Sequence, residues 1–238
     1  PQADLEMAAR LFGEAKSACI LYGMGITQHT TGTDNVKSVA NLLLLTGNIG
    51  REGTGFSPLR GQNNVQGSCD MGALPNVYPG YQRVNDPAAR TKFETAWGCK
   101  LSDHLGVTVT DIAEGILKGD IKGLYVMGEN PILSEPNLEH FRQALEKVEF
   151  LIVQDIFLSE TAWMADVVFP AAAFAEKDGT FTNTERRVQR IRQALMPPGE
   201  AKADWEILSA LAERMGKPFG YQTASQIMEE IASLTPIY

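Results

Sequence analysis

The sequence has no CxxC pair, and its three cysteines, Cys19, Cys69 and Cys99, are scattered along the chain. Its three histidines, His29, His104 and His140, are equally dispersed. Both scarcities argue against a disulfide framework and against a zinc or iron–sulfur centre held by this chain alone, so no metal ligand is expected in it. No apolar run approaches the roughly 18 residues of a membrane span; the longest block is Leu42-Leu43-Leu44-Leu45. The first residues, "PQADLEMAARLFGEAK", are polar and helix-like and lack a basic-then-apolar leader pattern. A cytoplasmic protein, or a piece of a longer chain, is the expectation. Positive charge is also short, with 21 Lys and Arg against 29 Asp and Glu and a net charge of −8. Without a basic stripe to neutralise phosphates, a general nucleic-acid binder is not expected.

What is present is an ordinary globular composition, 44% hydrophobic and 21% charged over 238 residues, enough for one large core or two smaller ones. Helical periodicity is read over 4–16, 35–47, 88–97, 110–119, 137–148, 203–215 and 222–233. Short apolar strands are read at 17–23, 121–128, 149–155 and 165–171. The nearly continuous run "EFLIVQD" has the character of a buried parallel strand. Strands alternating with helices predict an α/β fold, a parallel, doubly wound, Rossmann-like sheet in an αβα sandwich. Residues 47–87 are rich in Gly, Asn, Pro and Gln, yet carry Phe56, Leu59, Val65 and Tyr78. That segment is expected to be one ordered, ligand-facing loop.

In open α/β sheets ligands bind beyond the carboxyl ends of the strands, and three such ends are polar or rich in glycine. Gly23-Met24-Gly25-Ile26-Thr27-Gln28 begins like GxGxxG, but Gln28 replaces the third glycine, so it reads equally as a tight strand-to-helix turn. Gly128-Glu129-Asn130-Pro131, with Ser134 beyond, offers an amide free to cap a helix or to meet a ligand. Gln154-Asp155 closes the apolar strand. The Asp155 carboxylate could take paired hydrogen bonds from guanine N1–H and N2–H, or cap the short helix near Ser159. Finally, "SPLRGQNNVQG" sets Arg60 among Gln62, Asn63, Asn64 and Gln66. Arg60 reads either as a solvated cation or as a planar fork for a carboxylate or phosphate.

"YGMGITQHTTGTDNVKSVANLLLLTGNIGREGTGFSPLRGQNNVQGSCDMGALPNVYPGYQ", "GENP", "VQDIFLSETAWMADVVFPAAAFAEKDGTFTNTERRVQR" and "KADWEILSALAERMG" together resemble the bis-molybdopterin guanine dinucleotide (bis-MGD) oxidoreductases, and within them the large subunit of formate dehydrogenases. The resemblance implies a central cofactor-binding portion of an enzyme that oxidises formate to carbon dioxide, passing two electrons to a molybdenum or tungsten centre. It implies that Met24 and Gln28 touch the cofactor, and that Gly23, Gly25 and Gly128 let the backbone approach it. Asn130, Ser134 and Asp155, with Gln154 beside them, would line a guanine pocket, and Asp204 would be a further cofactor-contacting acid. Arg60 would hold the formate carboxylate, with Gln62 and Asn63 at the pterin edge or on a bound water.

The resemblance also implies partners: formate, the remaining parts of the same subunit, and iron–sulfur or flavin electron-transfer subunits, with no membrane contact in this chain. The [4Fe–4S] cluster and metal ligand of the family correspond to nothing in the sequence, so the chain alone is expected to be inactive. Residues 1–60 are expected to be the remnant of one αβα cofactor-binding domain and 61–238 a second. Three other functions fit less of the pattern: a non-catalytic electron-transfer scaffold, a nitrate reductase-like relative, and a self-standing guanine-nucleotide module.

Overall fold

The computed structural model describes residues 1–238. They divide into two compact units, Pro1–Gly67 with Thr182–Val188, and Ser68–Phe181 with Gln189–Tyr238.

The first unit runs α1 (Gln2–Glu14), β1 (Cys19–Tyr22), α2 (Met24–Thr27), α3 (Gly32–Leu45) and β2 (Gly55–Pro58). Strands β1 and β2 pair in parallel, with Cys19 opposite Gly55 and Tyr22 opposite Pro58. Parallel neighbours need a crossover rather than a tight turn, and α3 supplies it. Its Leu43 is fully buried, while Leu45 is 85% exposed. The return to β2 is fixed by buried Asn48, whose side-chain oxygen accepts from the Ala18 amide at 3.0 Å and from Arg51 at 3.2 Å. The Tyr22 and Phe56 rings stack across the pair, 5.9 Å apart.

After α4 (Val65–Asp70), the second unit begins with a short antiparallel pair, β3 (Val77–Tyr78) and β4 (Gln82–Arg83). It continues through α5 (Pro87–Trp97), α6 (Val109–Lys118), β5 (Gly123–Met127), α7 (Pro131–Ser134), α8 (Leu138–Leu145), β6 (Phe150–Asp155), α9 (Glu160–Trp163) and β7 (Val167–Pro170). A two-stranded ribbon follows, β8 (Gly179–Thr182) and β9 (Val188–Ile191), then α10 (Asp204–Arg214) and α11 (Ala224–Leu234).

Strands β5, β6 and β7 lie side by side in parallel, with Met127 opposite Gln154 and Asp155 opposite Pro170. Alternation along β6 sends Leu151 and Val153 into a core with Ile116 of α6 and Phe141, Ala144 and Leu145 of α8. Gln154 takes the other face, where α10 is tied to the sheet through Asp204 and the Tyr125 and Phe169 rings stack at 6.5 Å. Helices therefore cover both faces of a parallel sheet, as the strand–helix alternation predicted.

The expectation of a single loop over 47–87 is corrected: it contains β2, α4, β3 and β4. Strand β2 is four residues long and ends in Pro58, which breaks the apolar pattern that marks a strand, yet a proline closing an edge strand forfeits no ladder bond. The ribbon β8–β9 was not foreseen either, because Gly-Thr-Phe-Thr and Val-Gln-Arg-Ile hold too few apolar residues to show a strand's apolar alternation. No helix is long and apolar enough to cross a membrane.

Because β6 carries both the core and a polar exit, the Leu151→Ala substitution is expected to destabilise the second unit by about 2–5 kcal/mol, the range for a buried leucine that leaves a cavity. Urea unfolding followed by far-ultraviolet circular dichroism measures it.

Candidate functional site

In the first unit the register of β1 and β2 brings two polar exits together. The Leu59 amide donates to the Tyr22 carbonyl at 2.7 Å, so the ladder continues one residue past β2. Gly23 then lies against Leu59, where a Cβ would stand 3.6 Å from the Leu59 carbonyl oxygen. A Cβ on Gly61 would stand 4.0 Å from the Met24 methyl. The glycine turn and the Arg60 segment, distant in sequence, are thus one edge. Met24, Gly25, Gln28, Arg60, Gln62 and Asn63 are all exposed there. The Arg60 guanidinium is in no ion pair and stands open to an anion.

The turn is braced from behind. The Asn35 amide donates to the Ile26 carbonyl at 2.9 Å, and the His29 Nε2 is 2.8 Å from the Gly25 carbonyl. Gly32 packs so tightly that a Cβ would fall 2.0 Å from the Thr27 carbonyl oxygen. His29, which the sequence shows only as one of three dispersed histidines, and Asn35, which no sequence pattern marked, both hold the backbone that Met24 and Gln28 leave from.

In the second unit the carboxyl ends of β5 and β6 form the other edge. Gly128 adopts φ +65°, a left-handed conformation that favours glycine, and its amide donates to the Gln154 carbonyl at 2.9 Å. Asn130 spans to the neighbouring exit: its Nδ2 donates to Glu160 at 2.7 Å, and its Oδ1 accepts from the Thr161 hydroxyl at 2.8 Å and the Thr161 amide at 3.2 Å. Ser134 donates to Glu129 at 2.7 Å. The Asn130 hydrogen bond holds the exposed Glu160 carboxyl below its ordinary value, with a smaller contribution from its own backbone amide. Glu129, Glu160 and Thr161 were absent from the sequence-derived set, although "SET" directly after a strand exit is a helix-start pattern.

Asp155 sits half-buried at the end of β6. Its Oδ1 accepts from the Ile156 amide at 2.6 Å and, more weakly, from the Phe157 amide at 3.4 Å. The carboxylate therefore caps its own turn; α9 takes its cap from Ser159, whose hydroxyl accepts from the Ala162 amide. Oδ2 carries no hydrogen bond within the chain.

Gln154 is fully buried. Its carbonyl accepts from the Tyr125 hydroxyl at 2.5 Å, and its amide donates to Asp204 at 2.7 Å. The other Asp204 oxygen pairs with Lys177. Asp204 opens α10 and lines a cavity of 660 Å³ with Lys177, Thr180, Arg190, Trp205 and Met228. Burial, and then the Asp204 charge, push the Tyr125 phenol above its ordinary value. No group of three or more His, Cys, Asp and Glu side chains converges as a metal site would.

Comparison with known proteins gives a consistent set of likenesses. A family model described as molybdopterin oxidoreductase matches residues 5–214. The alpha subunit of F420-dependent formate dehydrogenase 1 from Methanococcus maripaludis is 55% identical over 97% of this chain and 34% of its own length. Formate dehydrogenase H from Escherichia coli is 45% identical over 98% of this chain and 33% of its own. Among solved structures, acetylene hydratase from Pelobacter acetylenicus superposes over 98% of this chain and 35% of its own with a TM-score of 0.69 at 17% identity, a likeness of fold. The chain spans about a third of the length of these relatives.

Removing the Asn130 side chain by Asn130→Ala should let the Glu160 pKa rise back toward its ordinary value, which nuclear magnetic resonance titration of the carboxyl carbon reads directly. The sign for stability follows. A folded-state pKa below the ordinary 4.5 stabilises the protein above that pH and is lost as pH falls through the folded value. The variant should show less of this loss in acid.

Proposed function

Since the chain belongs to the molybdopterin oxidoreductase family, we propose that it is the central cofactor-binding portion of a formate dehydrogenase large subunit, with residues 1–60 and 61–238 as parts of two αβα cofactor-binding domains. The observation that supports this most directly is the first edge, where an exposed, unpaired arginine stands with neutral amides beside a glycine turn. A cation with nothing else to pair with suits a small carboxylate, and amides suit the polar rings of a pterin without adding charge that would compete for the substrate.

The residues present fit a pterin guanine dinucleotide. At the first edge Gly25 has nothing within 4 Å of where a Cβ would stand, so a ligand could lie against the backbone, with Met24, Gln28, Gln62 and Asn63 around it. At the second edge Gly128, Asn130, Ser134 and Asp155 border a region where the Asp155 Oδ2 is open to the N–H groups of guanine; adenine presents acceptors at its matching edge and would be disfavoured. Asp204 would meet a further donor of the cofactor. In the bis-MGD arrangement with molybdenum or tungsten, the bound cofactor supplies the two-electron acceptor for C–H cleavage.

What this chain contributes to that reaction is positioning. Formate is an anion and carbon dioxide is neutral, so the attraction of Arg60 weakens as product forms. Arg60 therefore contributes mostly orientation and ground-state binding, and its planar fork fixes the plane of the carboxylate. Release of carbon dioxide is eased by the same loss of charge. The partners this reading implies are formate, the rest of the subunit, and subunits that carry electrons onward.

In the complete subunit, Arg60→Lys keeps the charge but loses the fork. It should lower formate turnover by about tenfold or more, raise KM for formate, and leave pterin content unchanged; steady-state kinetics and fluorescence of the oxidised pterin measure these. Loss of pterin in the variant would instead make Arg60 a cofactor ligand and overturn the role given to it.

A further inference from the structure

The hydrogen-bonded chain Tyr125–Gln154–Asp204–Lys177 crosses the second unit from the middle of the sheet to the 660 Å³ cavity. Its polarity is set from one end. An ionised carboxylate only accepts, so the Gln154 amide nitrogen must face Asp204. The Gln154 carbonyl must then face Tyr125, and the phenol must donate. Each group has one compatible role, and reversing any of them leaves a buried donor facing a donor or an acceptor facing an acceptor, at a cost of about 1–3 kcal/mol.

Gln154 is also the wrong kind of group for a ligand contact. Its side chain is fully buried in the central strand, with both ends of the amide engaged inside the protein. Asp204 is different: half-buried, at the start of α10, and on the cavity wall. Its carboxylate is clamped from behind by Gln154 and from the side by Lys177. The start of its helix is held separately by Glu206, which accepts from the Ala203 amide at 3.0 Å. Carboxylate orientation and helix start are thus fixed by different residues.

We infer that Gln154 is a positioning residue, whose side chain touches no ligand but locks the Asp204 carboxylate in the orientation from which it accepts from a nucleotide-bearing cofactor, with Tyr125 as the anchored end of the chain. The ligand part of this inference rests on the proposed function. The locking itself concerns this chain alone. Raised proton affinity of the Tyr125 phenol agrees with the obligatory donor role.

Two double-mutant cycles test the inference. In the first, GDP binding is measured by calorimetry for the wild type, Gln154→Met, Asp204→Ala and the double variant. Methionine nearly matches glutamine in volume, so the strand stays filled. Loss of a hydrogen bond to a charged group corresponds to about tenfold weaker binding or more. Gln154→Met should show it in the wild-type background and lose most of the effect once Asp204 is gone. Independent, additive losses would make Gln154 a ligand contact in its own right and overturn the inference.

The second cycle needs no ligand and uses Tyr125→Phe, which keeps the ring beside Phe169, with Asp204→Asn. Their effects on unfolding midpoint should be non-additive with Gln154 present and additive in the Gln154→Met background. Additivity in both backgrounds would reduce Gln154 to a space-filling residue and overturn the inference. If GDP fails to bind the wild type, the guanine reading fails and this second cycle still decides whether Gln154 locks Asp204.

Discussion

Parallel strands must leave the sheet on the same edge. Two antiparallel strands can be joined by a tight turn and send their ends opposite ways; a parallel pair has to be crossed by a helix, and both carboxyl ends then emerge side by side. In the first unit this constraint places the Gly23 turn against the Arg60 segment, and in the second it places Gly128 and Asn130 beside Asp155 and Thr161. Each edge receives residues from two segments far apart in the chain, and neither segment alone would make a site.

The two edges are equipped differently. At the first, Met24, Gln28, Arg60, Gln62 and Asn63 are exposed around open glycine backbone. At the second, nearly every polar group is already engaged. Asn130 ties one loop to the next, Ser134 holds Glu129, Asp155 stabilises its own turn, and Gln154 is sealed under the surface. The second edge is thus a prearranged set of polar groups held by hydrogen bonds within the chain. The first edge keeps its cation exposed and in no ion pair.

Much of this was legible in the sequence, and the parts that were not share a physical cause. Apolar periodicity gave β1, β5, β6 and β7 within two residues and the longer helices within three, because their apolar residues cluster at strand or helix spacing. Glycines beyond strand ends and the crowd of amides around Arg60 marked both edges. Strand β2 was hidden, since four residues ending in proline carry no alternation to detect, and β8–β9 hold too few apolar residues to show one. The braces were hidden too. Nothing in the spacing of Asn35 to Ile26, Asn130 to Thr161, or Tyr125 through Gln154 to Asp204 announces a hydrogen bond across folded segments. Gln154 is the sharpest case: its place at a strand exit suggested a ligand contact, whereas strand alternation turns its side chain inward.

The claim on which the rest depends is that a guanine nucleotide binds at the carboxyl edge of the second sheet. Its most direct test is a titration of the isotope-labelled protein with GDP, and separately with ADP, followed through backbone amide shifts. The account predicts saturable shifts under GDP at residues 128–134, 155–161 and 204, with weaker shifts or none under ADP. Shifts confined to the opposite ends of strands β5 and β6, or an equal response to both nucleotides, would contradict it.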